Sequence, residues 1–346
     1  MKPALPPMAR LAPRLKMIEE SGTFSNSGPQ LVELERRFAQ RLEVGPERVV
    51  VLSNATLALS GLCQVLDGKN WRVPSWTFTA TVLAILAARK IPSFIDVDLE
   101  THRAENEPGN SYNSILTLPF GVGLPKIWTS PGKYPSIIDG AASLGSIETL
   151  KNLPETSNLV FSLHATKYLG SGEGGLVVTG TKEIADELRS WSNFGFQGSR
   201  QSMTQGTNAK MSEIQAAVVH CALDSESEER SEWEKLRSAS RYYEDQLSIG
   251  IPELSHSSIA PYWIVKFDSA ENRDRVESAL ESASIGSRRW WSNGCHAMPA
   301  FATIQRLEDL SNTDQLASQT LGLPYFKGMT EKDFQSVAAV ISSALE

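Results

Sequence analysis

Short apolar runs alternate with helical patterns over the first half of the chain. Arg48-Val-Val-Val-Leu52 is a continuous apolar run of the kind a strand buried on both faces carries. Asn54 follows as a helix cap, and the helix it starts is expected to reach about Leu66. Residues 71–73 read as a short strand, Pro74 and Ser75 open a loop, and residues 78–89 form a helix rich in Ala and Leu. Residues 92–96, 114–118, 136–138 (with Asp139 at the end), 158–162 and 175–179 complete a series of strands. Strands alternating with helices predict an α/β protein, with a mostly parallel central sheet flanked by helices.

The pattern changes after about residue 210. Residues 211–223 read as a helix, and 225–247 as a long helix with repeated Glu and Arg, the usual composition of a solvated helix face. Beyond it lie strands at 262–267 and 285–290 and helices at 273–282 and 331–345. The expected organisation is a large domain over residues 1–224. A long linking helix and a smaller C-terminal α+β domain follow over 225–346. Neither a repeat of fixed period nor a low-complexity segment interrupts it.

Composition narrows the function by exclusion. Lys+Arg 33 against Asp+Glu 40 in 346 residues gives a net charge of -7, unsuited to broad binding of nucleic acid or anionic membranes, although one pocket can still be locally positive. Cys63, Cys221 and Cys295 are far apart, which argues against a zinc site or a disulfide framework and fits a reducing cytoplasm. The N-terminus carries too many prolines and charges for a signal segment. The most apolar stretch, 78–88, is far short of the ~20 residues needed to cross a membrane.

Gly170-Ser-Gly-Glu-Gly-Gly175 satisfies G-x-G-x-x-G, but a dinucleotide fingerprint follows a strand and opens a helix, whereas these glycines precede the apolar run Leu176-Val-Val178. The open readings are a turn between two strands and a loop kept small beside a bound group. Lys167 sits just before it, in Ser162-Leu-His-Ala-Thr-Lys167, at the end of an apolar strand. A lone lysine is most often a solvated surface residue. Here Asp139 ends its own strand 28 residues earlier, and ligands of open α/β sheets gather outside such strand ends. Ser53-Asn-Ala-Thr56 joins a strand to a helix N-terminus, where unpaired N–H groups favour a phosphate. A lysine, an aspartate and a phosphate cradle are what pyridoxal phosphate requires. The amine joins the aldehyde, and the carboxylate keeps the pyridine nitrogen protonated so the ring can accept electrons.

With these residues the chain resembles the sugar aminotransferases of the DegT/DnrJ/EryC1/StrS family, of aspartate aminotransferase fold type I. The similarity runs over about residues 22–323. The lysine segment through Gly175, Ile138-Asp-Gly-Ala-Ala-Ser-Leu-Gly145, Gly206-Thr-Asn-Ala-Lys-Met-Ser-Glu-Ile-Gln-Ala-Ala217, Val73-Pro-Ser-Trp-Thr-Phe-Thr-Ala-Thr81 and Ser27-Gly-Pro29 carry it, in order. The resemblance implies that Lys167 binds the cofactor covalently and shuttles a proton, and that Asp139 pairs with the pyridine nitrogen. It implies that Phe78 stacks on the ring; without the family, Phe78 reads equally as a core aromatic at a helix start. Thr56, the Leu57 backbone N–H and Ser162 match phosphate ligands. Asn208 matches a residue reaching the phosphate across a homodimer interface, and by itself reads as a helix cap. The implied reaction moves an amino group from an amino acid, glutamate in the family, to a keto sugar expected to be nucleotide-linked, with the pyridoxamine form between the halves.

This chain departs from the family in places. Asn54-Ala-Thr56 replaces Ser-Gly-Thr, Ala142 replaces a Gln or His near the cofactor's ring hydroxyl, and Lys210 stands where arginine is frequent. A branch with histidine in place of the lysine performs dehydration, and Lys167 argues against it. Ser287-Arg-Arg-Trp-Trp-Ser292 and His296-Ala-Met-Pro-Ala-Phe301 resemble a segment bordering the substrate pocket. Arg288, Arg289, His296 and His164 are therefore substrate candidates, against the plainer reading of a basic turn beside an aromatic strand. Cys295 raises a desulfurase, which needs a mobile reactive thiol. The alternatives are another pyridoxal-phosphate reaction and a non-catalytic protein that kept the fold. No metal ligand set is expected.

Overall fold

A computed structural model of the chain describes residues 6–105, 112–125, 136–244 and 259–346. Two helices, α1 (Met8–Ser21) and α2 (Pro29–Leu42), precede the first strand. The sheet contains β1 (Val49–Leu52), β2 (Asn70–Pro74), β3 (Ile91–Ile95), β4 (Asn113–Thr117), β5 (Ile137–Asp139), β6 (Asn158–Ser162) and β7 (Gly175–Val178). From far along the chain it gains β9 (Gln305–Arg306). Its eight strands run in the order β1-β7-β6-β5-β4-β2-β3-β9, parallel except for β7, which is antiparallel to both neighbours.

The all-apolar strand sequences follow from burial on both faces. In β1, Val49 and Val51 enter one core while Val50 and Leu52 enter the other, as a period of two requires. The second core is closed by α3 (Ala55–Val65), α4 (Thr79–Ala87) and α5 (Lys182–Ser192). The first is closed by α2 and α6 (Glu213–Asp224). The Glu213 carboxylate accepts from the N–H groups of Gln30 (2.7 Å) and Leu31 (3.0 Å), capping α2 from a distant helix. A Cβ at Gly28 would lie 2.6 Å from the Glu213 carboxyl carbon, so Ser27-Gly-Pro29 and Glu213 form one joint.

The expected long charged helix is broken. It runs as α7 (Glu226–Ala239) and then, past Ser240, as the short α8 (Arg241–Glu244), and residues 245–247 of the expected span lie outside the described residues. A two-stranded antiparallel sheet of β8 (Trp263–Lys266) and β10 (Thr320–Leu323) packs with α9 (Ala270–Ser282), α10 (Ser311–Gln319) and α11 (Glu331–Leu345). The strand expected at 285–290 is not one. It reduces to a single bridge between Arg288 and Gly322, where a Cβ on Gly322 would lie 2.2 Å from the Trp290 indole nitrogen.

Residues 295–314 return to the main sheet. Cys295 N–H donates to the Ser75 carbonyl (2.8 Å), β9 adds beside β3, and the Asp96 carboxylate accepts from the N–H groups of Asn312 and Thr313 at the start of α10 (both 2.8 Å). Among the described residues no helix is long and apolar enough to cross a membrane.

Candidate active site

Strands β4, β5 and β6 are adjacent and parallel, so Thr117, Asp139 and Ser162 end them on the same side of the sheet. They border a cavity of about 430 Å³ lined also by Asn54, Thr56, Phe78, His164, Lys167 and Arg288. Aromatic residues Phe120, Tyr262, Trp290 and Trp291 form one wall. Sequence positions 54 to 291 thus meet in one place.

Asp139 is 4% exposed. One carboxylate oxygen accepts from the Thr81 hydroxyl (2.7 Å) and the other from the Ala141 N–H (3.1 Å). Burial pushes its pKa above the ordinary carboxylate value. The Thr81 and Ala141 donors and the charge of Lys167 oppose that push without overcoming it. Thr81 is itself joined to Thr77 (3.0 Å), and Thr77 to Thr117 (2.7 Å), all buried.

Lys167 lies in the loop between β6 and β7. Its N–H donates to the His164 carbonyl and its carbonyl accepts from Gly170 N–H (2.8 and 2.9 Å), while Leu163 and Ala165 bond back to Gly174 and Gly172 (both 2.8 Å). A Cβ at Gly170 would sit 2.4 Å from the His164 carbonyl oxygen, and one at Gly175 would sit 2.5 Å from the Asn54 carbonyl. Gly170 and Gly175 stand where backbone meets backbone and Gly172 takes a positive φ, while the turn leads into the strand β7 and not into a helix, which disposes of the dinucleotide reading. The Lys167 amine donates to the Tyr262 hydroxyl.

The cradle differs in one detail from the expectation. Asn54 caps α3 by accepting from Leu57 N–H (2.8 Å), so that N–H, matched above to a phosphate ligand, is already engaged. The N–H groups of Ala55 and Thr56 remain as the first-turn donors at the cavity, with the Ser162 hydroxyl beside them. Phe78 is 60% exposed at the cavity edge, which excludes the core-aromatic reading and leaves its ring face open.

Other candidates fall elsewhere. Asn208 is exposed, accepts from the Lys210 amine (2.7 Å) and does not line the cavity of its own chain; the cap of α6 is Ser212, not Asn208. Arg289 points away, bound to Glu277 (2.8 Å) and Asp274 (2.9 Å), so it is not a pocket residue. His296 is buried between Ser75 (2.6 Å) and Asp314 (3.2 Å), where it fixes the returning segment, and burial lowers its pKa. Cys295 is buried, its thiol bonded to the Thr77 carbonyl (3.3 Å) and pushed up to about 12 by burial; it is neither mobile nor reactive. His164 does line the cavity, tied to Thr166 (2.9 Å).

Sequence reading missed Tyr262, Phe120 and Thr81 as site residues. Thr81 was legible as the end of the segment from Val73. Tyr262 and Phe120 had no local signal, since only the fold brings them to Lys167.

The fold and this site define the class as a fold type I aminotransferase. The model of the DegT/DnrJ/EryC1/StrS aminotransferase family matches residues 9–107 and 133–342, and the chain belongs to that family. It is 29% identical over 375 residues to Protein Rv3402c of Mycobacterium tuberculosis, spanning 99% of this chain and 89% of that one. It is 27% identical over 363 residues to the dTDP-4-amino-4,6-dideoxy-D-glucose transaminase of Shigella dysenteriae, spanning 98% and 97%. The crystal structure of DesI with its TDP-sugar product superposes with a TM-score of 0.83 at 27% identity, over 99% of this chain and 91% of the other.

Proposed function

We propose that the protein transfers an amino group from an amino acid, glutamate, to a nucleotide-linked keto sugar, using pyridoxal phosphate. The observation that carries the reading is that Lys167 and Asp139 line one cavity beside the start of α3. The residues fit the cofactor. Asp139 is a buried carboxylate whose charge burial penalises, so a protonated ring nitrogen would offset a cost the apoprotein bears. The α3 N-terminus and Ser162 offer donors to a phosphate, and Phe78 offers a flat apolar face.

The bound group supplies an aldehyde that condenses with an amine, with loss of water, and a ring that accepts an electron pair. Asp139 holds the proton on the ring nitrogen. Lys167 would hold the aldehyde carbon through its amine and, as a free amine, would take up and give back a proton at Nζ. Thr56 and Ser162 would hold the phosphate, Phe78 would offer its face to the ring, and the aromatic wall would exclude water. Arg288, with its guanidinium over the Trp290 ring (5.1 Å), meets the anionic part of the substrate, and His164 shapes the pocket.

The names of the Shigella transaminase and of DesI's product support a nucleotide-linked acceptor. We place two copies around the site, with Asn208 of each serving the other. The exposed Phe78, Leu83, Leu86, Phe194 and Met203 are the apolar surface such pairing would cover. Three buried free thiols suit the cytoplasm. The division into residues 1–224 and 225–346 belongs to the same proposal. The test is spectroscopic. Glutamate should convert the bound cofactor to its amino form, and a nucleotide-linked keto sugar should return it. No conversion by glutamate or any other amino acid refutes transamination.

A further inference from the structure

The Lys167 amine donates to the Tyr262 hydroxyl and stands 4.8 Å from the centre of its ring. Tyr262 comes from just ahead of β8, 95 residues along the chain from the lysine. It is 9% exposed, with its ring edge-on to Phe120 (5.9 Å) and Trp290 (4.6 Å). Among the described residues its hydroxyl bonds to nothing else, so the lysine contact is what orients it.

Ala141 and Ala142, which follow Asp139, line the same cavity without a polar side chain. They are close to the tyrosine segment. A Cβ on Gly121 would lie 2.9 Å from the Ala142 carbonyl oxygen on one side and 2.9 Å from Ala260 Cβ on the other. Of the other polar groups lining the cavity, Thr117 is bonded to Thr77 and His164 to Thr166, while the Ser162 hydroxyl is the one given above to the phosphate. In pyridoxal phosphate the ring hydroxyl is on the carbon adjacent to the one bearing the aldehyde. A group that touches the lysine amine, on the side away from the phosphate cradle, is therefore within reach of that hydroxyl.

We propose that Tyr262 is a positioning residue, holding the Lys167 amine in the cofactor-free protein and donating to the cofactor's ring oxygen once the cofactor is bound. This rests on the pyridoxal-phosphate reading above. It gives the site a polar contact to the ring that Ala142 cannot make, and it delivers that contact from the C-terminal part of the chain.

A donor to the ring oxygen favours its anionic form and lets the lysine–cofactor linkage lose its proton at lower pH. Tyr262→Phe keeps the ring between Phe120 and Trp290 and removes only the donor. The absorbance of the resting, cofactor-loaded protein is titrated with pH. The midpoint should rise by about one pH unit, the shift a hydrogen bond to a charged acceptor supports. Fluorotyrosine placed at position 262, a stronger donor of the same shape, should move it the opposite way and keeps the test open if the Phe variant folds poorly. A merely structural tyrosine predicts neither shift. A wild-type cofactor band with midpoints that stay put in both variants overturns the role of Tyr262. A wild type with no cofactor band overturns the cofactor reading and this proposal with it.

Discussion

Replacing Thr81 by valine removes one hydroxyl from the floor of the site and keeps the side-chain shape. The Thr81 proton points to Asp139 because an ionised carboxylate only accepts. Its oxygen then accepts from Thr77 (3.0 Å), and Thr77 accepts from Thr117 (2.7 Å). This directed chain leads to a carboxylate that burial already pushes toward the neutral acid. A hydrogen bond to a charged group is worth about 1.5–3 kcal/mol. Its loss raises the Asp139 pKa further, in the direction burial already pushes it. The ionised carboxylate that would pair with a ring nitrogen loses that stabilisation, and at 1.36 kcal/mol per tenfold the cofactor dissociation constant should rise about 10- to 100-fold. Titrating the cofactor-free protein with pyridoxal phosphate, followed by absorbance, measures it. Thr117→Val, two bonds further out, should cost only a few-fold. A Thr81→Val constant within about twofold of wild type would refute the reasoning, because one such bond predicts at least about tenfold.

Three further outcomes follow from the geometry. His220 is fully buried, with Arg37 (2.9 Å) and the Gln30 carbonyl (2.9 Å) on its ring nitrogens and Arg14 and Asp224 nearby; burial pushes its pKa down to about 4. The unfolded chain then binds a proton that the folded one refuses, so stability is intact above about pH 6.5 and falls as pH drops toward 4, by up to about 3 kcal/mol. Urea melts at both pH values should show that fall in wild type and a smaller one in His220→Gln. Gly175→Ala should lower stability by about 1–3 kcal/mol and weaken cofactor retention, since its Cβ would press on the backbone of Asn54 and Ala55; denaturant midpoints check it. Arg288→Ala should raise KM for the nucleotide-linked acceptor by about tenfold or more. Arg289→Ala, which breaks only an exposed ion-pair cluster, should leave kinetics unchanged and cost at most about 1 kcal/mol.

The sheet was legible because its strands are buried on both faces, so that runs such as Val49–Leu52 stand out from everything around them. Asp139 and the Asn54 cap were legible because each follows such a run directly, and Ser162 was matched only through the family resemblance. Local pattern failed where distance in the chain is large. Nothing near Tyr262 announces a lysine contact, and nothing near Glu213 announces that it caps α2. The segment from Arg288 to His296 was misread in part for a related reason. Polar residues there look alike in sequence, yet one faces the cavity, one pairs with α9, and one is buried as a strut against Ser75. The long charged helix was overextended because Glu and Arg continue past Ser240, where α7 ends.

The central claim is that Lys167 carries the cofactor in a site built to transfer amino groups. Its most direct measurement is the absorbance spectrum of the protein loaded with pyridoxal phosphate, in wild type and Lys167→Ala, before and after glutamate. The account predicts a visible or near-ultraviolet band in wild type that glutamate converts, and loss of that band in the variant. A band that persists unchanged in Lys167→Ala would contradict it.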